Sequence, residues 1–134
     1  MVEFRGTKLT IRYCEQPPGG EEPATWWPPS WHEALSHIPA GKHKNINAAM
    51  AARVQTLANE GRLRSPDYFN TEGELPDGSR FYAIKVGKVR AYGWYSNRHK
   101  GIFFVSHFAF KKGQKLSSKD TNEVVRNWRA EERA

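Results

Sequence analysis

A stretch in the second half of the chain combines residue types that suit RNA chemistry. If residues 88–95 form a β-strand, every second side chain lies on one face, which groups Lys88, Arg90, Tyr92 and Trp94. An arginine can bind two phosphate oxygens at once, and aromatic rings can stack on bases. The pattern predicts an RNA-binding strand. The alternative is that Tyr92 and Trp94 belong to the core, which would leave only Arg90 at its rim.

Further candidates lie on the neighbouring runs of the sequence. Lys85 lies near the end of the preceding strand-like run, and His107 lies in the following one. Strand alternation would place His107 on the opposite face from Ser106 and Phe108. Three lysines then follow on a connection that should face solvent, namely Lys111, Lys112 and Lys115.

The charge of the chain is unevenly distributed. The net charge is +7, and residues 80–134 hold 13 Lys and Arg against 4 Asp and Glu, with no acidic residue between Asp77 and Asp120. Charge of one sign attracts polyanions, and phosphates favour clustered basic side chains through counterion release. Nucleic acid is therefore the expected partner, and the alternative is a basic face that binds nothing.

Other kinds of active site are not indicated by the sequence. The five histidines are scattered, and neither an HExxH pattern nor a glycine-rich phosphate loop is present. The single cysteine, Cys14, excludes an internal disulfide, and few carboxylates lie near the basic stretch to bind Mg²⁺. We therefore expect no metal and no cofactor.

RNA cleavage does not require a metal, because the RNA supplies its own nucleophile. The 2′-hydroxyl attacks the adjacent phosphorus in line with the leaving oxygen. The protein must orient this attack, move two protons and stabilise the charge on the phosphorane. Lysine and arginine side chains can supply most of these functions.

The periodicity of apolar residues predicts one α+β domain over residues 1–134. We expect an antiparallel sheet with two N-terminal helices and a C-terminal helix packed on it. The expected elements, in order, are a strand over 8–14, a helix from Ser30 to about Ile38, a helix over 45–60 closed by Gly61, strands over 80–86, 88–95 and 101–110, and a helix from about Asp120. Capping boxes are expected at Ser30 and Asp120. Residues 15–29, rich in proline, glycine and tryptophan, should form an irregular loop.

Three segments in the second half carry a family resemblance. They are Phe81–Lys85 (FYAIK), Gly87–Tyr92 (GKVRAY) and Ser106–Lys115 (SHFAFKKGQK), with a helix expected after the last of them. The arginine–aromatic strand followed by the double-lysine segment resembles toxins of the RelE/HigB type, which belong to the RelE/ParE superfamily of bacterial type II toxin–antitoxin systems. The resemblance covers about residues 30–130.

The resemblance implies a function and partners. Such toxins have a small RelE-like fold and act as mRNA interferases, which are endoribonucleases that cleave messenger RNA in the ribosomal A site and inhibit translation. A cognate antitoxin protein silences them. The implied partners are thus an antitoxin, mRNA and the ribosome with its rRNA, and the implied location is the cytoplasm. No stretch of the sequence is apolar enough to suggest a membrane span or a signal peptide.

The resemblance also implies roles for single residues. Arg90 matches the strand arginine that contacts the scissile phosphate, and Lys85 matches a basic residue on the preceding strand. Lys111 and Lys112 match the basic pair after the last strand, and His107 matches a histidine of the HigB-like branch.

Proton transfer is the open part of this assignment. Some relatives have a tyrosine near the start of the last helix, where this chain has none, so Tyr92, Lys85 or His107 must take that role or the chemistry differs. The residues expected to bind RNA or the ribosome without reacting are Lys88, Trp94, Arg98, Lys100, Lys115 and Lys119.

Two other classes of function remain open at this point. A ParE-like protein has the same fold but poisons DNA gyrase and cleaves no RNA. A non-catalytic basic module would bind RNA with a steep dependence on salt and cleave nothing.

Overall fold

The structure is a computed structural model that describes residues 2–15, 27–113 and 115–133. Within these residues the elements are β1 (Glu3–Arg5), β2 (Thr10–Tyr13), α1 (Pro29–Leu35), a 3-10 helix (Ala40–Lys42), α2 (His43–Glu60), β3 (Phe69–Glu74), β4 (Arg80–Val86), β5 (Val89–Tyr95), β6 (Ile102–Phe110) and α3 (Ser118–Glu132). The irregular loop predicted over 15–29 lies mostly outside the described residues, which include only Glu15 and residues 27–29 of it.

The strands form one mixed sheet in the order β1-β2-β6-β5-β4-β3. β2 runs parallel to β6, and the other neighbours are antiparallel. The predicted small RelE-like fold, with an antiparallel sheet carrying two N-terminal helices and a C-terminal helix, is therefore wrong. The sheet has six strands, and the long connection through α1 and α2 brings the chain back so that one pair of strands is parallel.

Two of the strands were not predicted because their sequences carry weak strand signals. β1 is only three residues long. β3 has the sequence FNTEGE, in which polar residues and a glycine follow a single aromatic residue. Both strands lie at the edges of the sheet, where the backbone pairing of one neighbour fixes them without an apolar pattern.

The turn between β4 and β5 forms where the sequence predicts it. Val86 pairs with Val89 across the two residues Gly87 and Lys88, and Gly87 has a φ of 56°, which glycine adopts at little cost. α2 likewise ends at Gly61, as predicted, in a left-handed conformation.

Both predicted capping boxes are wrong. α1 begins at Pro29 without a side-chain cap, so Ser30 lies inside the helix, and its hydroxyl donates to the carboxylate of Glu15 instead. The N-cap of α3 is Ser117, whose Oγ accepts a hydrogen bond from the Asp120 N–H at 3.1 Å. The first turn of α1 is therefore attached to residues outside the helix, which matters for the site described below.

Apolar side chains pack on both faces of the sheet. α1 and α2 cover one face, where Trp31, Met50 and Leu57 are buried. α3 covers the other face, where Val124 and Trp128 are buried. Burial on both faces explains why the middle strands are almost entirely buried rather than alternating.

The predicted RNA-binding face of β5 lies under α3. Tyr92 and Trp94 are each only 1% exposed, and Trp94 Nε1 lies 3.3 Å from the carboxylate of Glu132 near the end of α3. The prediction that Trp94 stacks on RNA is therefore wrong, because a base cannot reach its ring. The alternative given by the sequence, that both rings belong to the core, is the observed arrangement.

A β-bulge in β6 changes which side chains share a face. Tyr92 pairs with His107 and Gly93 pairs with Val105, so Ser106 is the extra residue. As a result, Ser106 and His107 both contact α3, and the predicted alternation that placed them on opposite faces is wrong. The bulge places the imidazole of His107 beside the first turn of α3.

Candidate functional site

A pocket opens beside the second half of β6. β2 pairs with β6 only as far as Val105, so β2 leaves the strand edge open beyond that residue. α1 packs on one side of this segment and α3 on the other. The Ser30 hydroxyl accepts a hydrogen bond from the Phe108 N–H at 2.9 Å and holds α1 at the open edge. The space enclosed between the two helices has a volume of about 330 Å³.

Half of the predicted site residues line this pocket. They are Tyr92, His107, Lys111, Lys112, Lys115 and Lys119. The sequence separates these residues by up to 27 positions, and the antiparallel pairing of β5 with β6, together with the chain leading into α3, brings them together. The structure thus brings these six predicted residues together at one pocket.

His107 forms the floor of the pocket and is 4% exposed. Its Nε2 lies 2.8 Å from Asp120 Oδ1. Its Nδ1 lies 2.8 Å from Ser106 Oγ and 3.2 Å from Glu123 Oε2. Both ring nitrogens therefore have partners within the protein, and His107 connects β6 to α3 rather than offering a free nitrogen to a substrate.

The carboxylates around His107 differ in their environments. Burial raises the pKa of Asp120, but the hydrogen bonds from His107 and Ser117 outweigh it, so the pKa lies below its ordinary value. For Glu15, burial prevails over the hydrogen bonds from Ser30, and the pKa is raised. Asp120 is therefore held as a carboxylate opposite the imidazole, whereas Glu15 is less readily ionised.

Tyr92 shares the floor with His107, and their ring centroids are 5.5 Å apart. Burial raises the pKa of Tyr92, and the nearby charge of Asp120 adds to the effect. A phenol with a raised pKa keeps its proton, so Tyr92 is poorly suited to remove a proton from a substrate.

The rim of the pocket is basic. Lys112, Lys115 and Lys119 are exposed and Lys111 is half-buried, on the segment that joins β6 to α3. Lys88 lies close to this rim, since its carbonyl accepts a hydrogen bond from the Lys111 N–H at 2.8 Å. Four ammonium groups around one opening suit an anion such as a phosphate.

Other predicted residues lie away from the pocket. Lys85 Nζ donates to the Pro66 carbonyl at 3.0 Å, on the side of β4 that faces β3. Arg98 and Lys100 are exposed in the turn between β5 and β6, at the opposite end of β6 from the pocket. These three residues therefore do not line the pocket.

Arg90 lies next to the pocket without lining it. It pairs with Ala109, which is a lining residue, and its Nη1 donates to the carbonyl of Gly87 at 2.6 Å. Its Nε is buried and has no hydrogen-bond partner among the described residues. The guanidinium is therefore turned back onto the β4–β5 turn in this conformation, beside the site and not in it.

Several lining residues were missed at the level of the sequence. α1 contributes Ser30 and Glu33, the turn after α1 contributes His37, and α3 contributes Asp120 and Glu123. The spacing of Ser30 and Glu33 is that of one helical face, which was the available signal. Asp120 and Glu123 were interpreted as a helix cap, and nothing in the sequence indicates that His107 lies opposite them.

The part of the chain that the structure describes lacks two features of other protein classes. No group of three or more His, Cys, Asp or Glu side chains there is arranged to hold a metal ion. No described helix is both long and apolar enough to cross a membrane.

Comparison with known proteins gives no relative: no family model, no curated protein and no solved structure matches the chain.

Proposed function

We propose that this protein is a metal-independent endoribonuclease that cleaves messenger RNA on the ribosome and so inhibits translation. In this proposal it acts as the toxin of a type II toxin–antitoxin pair, and a cognate antitoxin protein silences it. The observation that carries the proposal is the pocket beside β6, where a lysine rim surrounds a buried histidine held by two carboxylates.

The lysine rim supports RNA as the substrate. Four lysines that lie within 9 residues of sequence line the same opening, namely Lys111, Lys112, Lys115 and Lys119. Phosphodiester groups bind such clusters with the release of counterions. A volume of about 330 Å³ accommodates a nucleotide and not a duplex, which favours a single strand such as a translated message.

The chemistry proposed is in-line attack of the 2′-hydroxyl on the neighbouring phosphorus. The lysine ammonium groups stabilise the charge that develops on the non-bridging oxygens of the phosphorane. His107 fixes the first turn of α3 against β6 through Asp120, and so sets where Lys119 and the preceding segment lie. In this role His107 is a positioning residue.

The test is induced expression in a bacterial host, followed by primer extension on a translated mRNA and on the same mRNA without its start codon. The proposal predicts growth arrest and cuts confined to the translated message. The new 5′ ends should carry a hydroxyl group, since attack by the 2′-hydroxyl leaves a cyclic phosphate on the other fragment. Ends that carry a 5′-phosphate would instead indicate a hydrolytic nuclease.

Two variants sharpen this test. The double variant Lys111→Ala with Lys112→Ala should lose the cuts, and the double variant Lys42→Ala with Lys44→Ala should retain them. The second pair is exposed and lies outside the pocket, so it controls for lost positive charge. Growth arrest without cuts would overturn the proposal in favour of another target such as gyrase, and RNA binding without arrest or cuts would overturn it in favour of a binding module.

A further inference from the structure

The proposed cleavage needs one group to take a proton and another to give one. The three residues that the sequence offered for this task are unsuitable in the structure. Tyr92 is buried with a raised pKa, Lys85 lies outside the pocket, and both nitrogens of His107 have protein partners. The proton-transfer groups must therefore be sought elsewhere on the pocket wall.

The wall formed by α1 and by the turn that follows it carries two titratable groups. Glu33 lies in the last turn of α1 and His37 lies in the turn that follows Leu35, and both side chains line the pocket. Both are exposed, and no described residue forms a hydrogen bond or ion pair with the Glu33 carboxylate or the His37 ring nitrogens. They differ in this from Asp120, Glu123 and His107, whose polar atoms are bound to one another.

The position of His37 is fixed by an aromatic contact. Its ring stacks on Phe110 with a centroid separation of 4.9 Å and an interplanar angle of 17°. Phe110 directly precedes Lys111, so the imidazole lies beside the start of the basic segment. Stacking covers a face of the ring and leaves the nitrogens at its edge available to a ligand between α1 and the lysines.

We infer that Glu33 and His37 are the proton-transfer pair of the proposed ribonuclease, so this inference rests on the proposed function. The Glu33 carboxylate takes the proton of the 2′-hydroxyl as the 2′-oxygen forms its bond to phosphorus. The His37 imidazolium gives a proton to the 5′-oxygen as the bond between phosphorus and that oxygen breaks. The products are a 2′,3′-cyclic phosphate and a 5′-hydroxyl, and the two residues return to their starting states by exchange with water.

The assignment within the pair follows from what each group can do. An ionised carboxylate only accepts hydrogen bonds, whereas a protonated imidazole donates from both nitrogens. The leaving oxygen is the atom that needs a donor. Histidine is also the side chain that exchanges protons most readily between pH 5 and 8.

The experiment measures single-turnover cleavage of a programmed ribosome complex by the full-length protein. Two mRNAs are compared, one natural and one with sulfur in place of the 5′-bridging oxygen at the mapped cut. A thiolate leaves without a proton, so the sulfur substrate does not need the acid. The variants are His37→Gln and Glu33→Gln, with His32→Gln as the matched control, since His32 is exposed on α1 and does not line the pocket.

The inference predicts a distinct result for each variant. His37→Gln should slow cleavage of the natural mRNA about 100-fold to 1000-fold and remain within about tenfold of the wild type on the sulfur substrate. Glu33→Gln should slow cleavage of both substrates by a similar factor, and His32→Gln should slow neither.

The failures of the two proposals can be told apart. If the wild-type protein cleaves neither mRNA, the proposed function is wrong, and this inference falls with it. If the wild type cleaves and folded His37→Gln is equally slow on both substrates, or is as fast as His32→Gln, the ribonuclease proposal stands and the assignment of His37 is overturned.

Discussion

The contact between His107 and Asp120 should contribute a coupling energy of about 2 kcal/mol to folding. Nε2 of His107 and Oδ1 of Asp120 are 2.8 Å apart, and the side chains are 4% and 21% exposed, so water screens the contact little. Hydrogen bonds to charged groups contribute about 1.5–3 kcal/mol in proteins, and the figure of about 2 kcal/mol lies in the lower half of that range because Asp120 retains some contact with water.

The assay is a double-mutant cycle measured by urea denaturation at pH 7. His107→Ala, Asp120→Asn and the combined variant are compared with the unmodified chain, and the interaction energy is what remains after the single effects are subtracted. The control cycle combines His107→Ala with Asp77→Asn. Asp77 is hydrogen-bonded to Ser79 and Asn97 and shares no partner with His107, so this pair should be additive within about 0.5 kcal/mol.

The coupling should also depend on pH in one direction. The pKa of Asp120 is lowered in the folded protein. The stability that its carboxylate contributes is therefore fully present above the unfolded-state pKa of about 3.9 and is lost as the pH falls through the folded-state pKa. A coupling energy under about 0.5 kcal/mol at pH 7, or one that survives full protonation of Asp120, would refute the view that this contact holds α3 against β6.

Three further predictions concern other parts of the molecule. Burial raises the pKa of Tyr95 to about 12, so the folded protein keeps the phenol proton at pH values where the unfolded chain has lost it, above about pH 10. The free energy of unfolding should therefore fall as the pH rises above about 10, and Tyr95→Phe should reduce that slope by about 1.4 kcal/mol per pH unit in urea titrations. Gly93→Ala should lower the free energy of unfolding by about 2 kcal/mol or more in thermal melts, because its Cβ would lie 2.2 Å from a carbonyl oxygen of β6, whereas Gly113→Ala, with open space around it, should have little effect. If Lys111 and Lys112 each contact one phosphate, replacing both with alanine should reduce the slope of log affinity against log salt for single-stranded RNA by about 1.4 in anisotropy titrations, and an unchanged slope would remove them from the RNA contact.

Local signals in the sequence predicted much of the fold from α2 onward. The turn at Gly87 and the end of α2 at Gly61 both depend on glycine in a left-handed conformation. Such positions can be recognised in a single sequence, because glycine adopts this conformation at little cost. The strands β4, β5 and β6 carry dense β-branched and aromatic residues, which favour strands wherever they pack.

The errors arose where tertiary contacts decide the outcome. Strict alternation misplaced Ser106 relative to His107, since nothing in the sequence marks the bulge that shifts the register. Trp94 was predicted to contact RNA because side chains alternate along β5 in the same way whether a helix or a ligand covers that face. Only the packing of α3 distinguishes the two cases.

The site was predictable in composition and not in geometry. The lysines after β6 and the histidine on it were identified from residue type and charge, and these residues do line the pocket. Glu33 and His37 were not identified, because their positions depend on how α1 is held at the edge of β6 by Ser30. That contact joins residues 78 positions apart and has no local signature.

The pairing of β2 with β6 has a consequence for the order in which the molecule is built during synthesis. Thr10 of β2 and Ile102 of β6 are direct partners in the sheet, so β2 cannot form this pairing until β6 has been translated. The pocket can form only later still, because its lining residues lie both near residue 30 and as far along the chain as Glu123. Pairings so distant in the chain form slowly, and they form only after most local structure exists. A nascent chain would therefore carry α2 and the β4–β5 hairpin well before it carried a pocket, and the site would be completed among the last parts of the molecule.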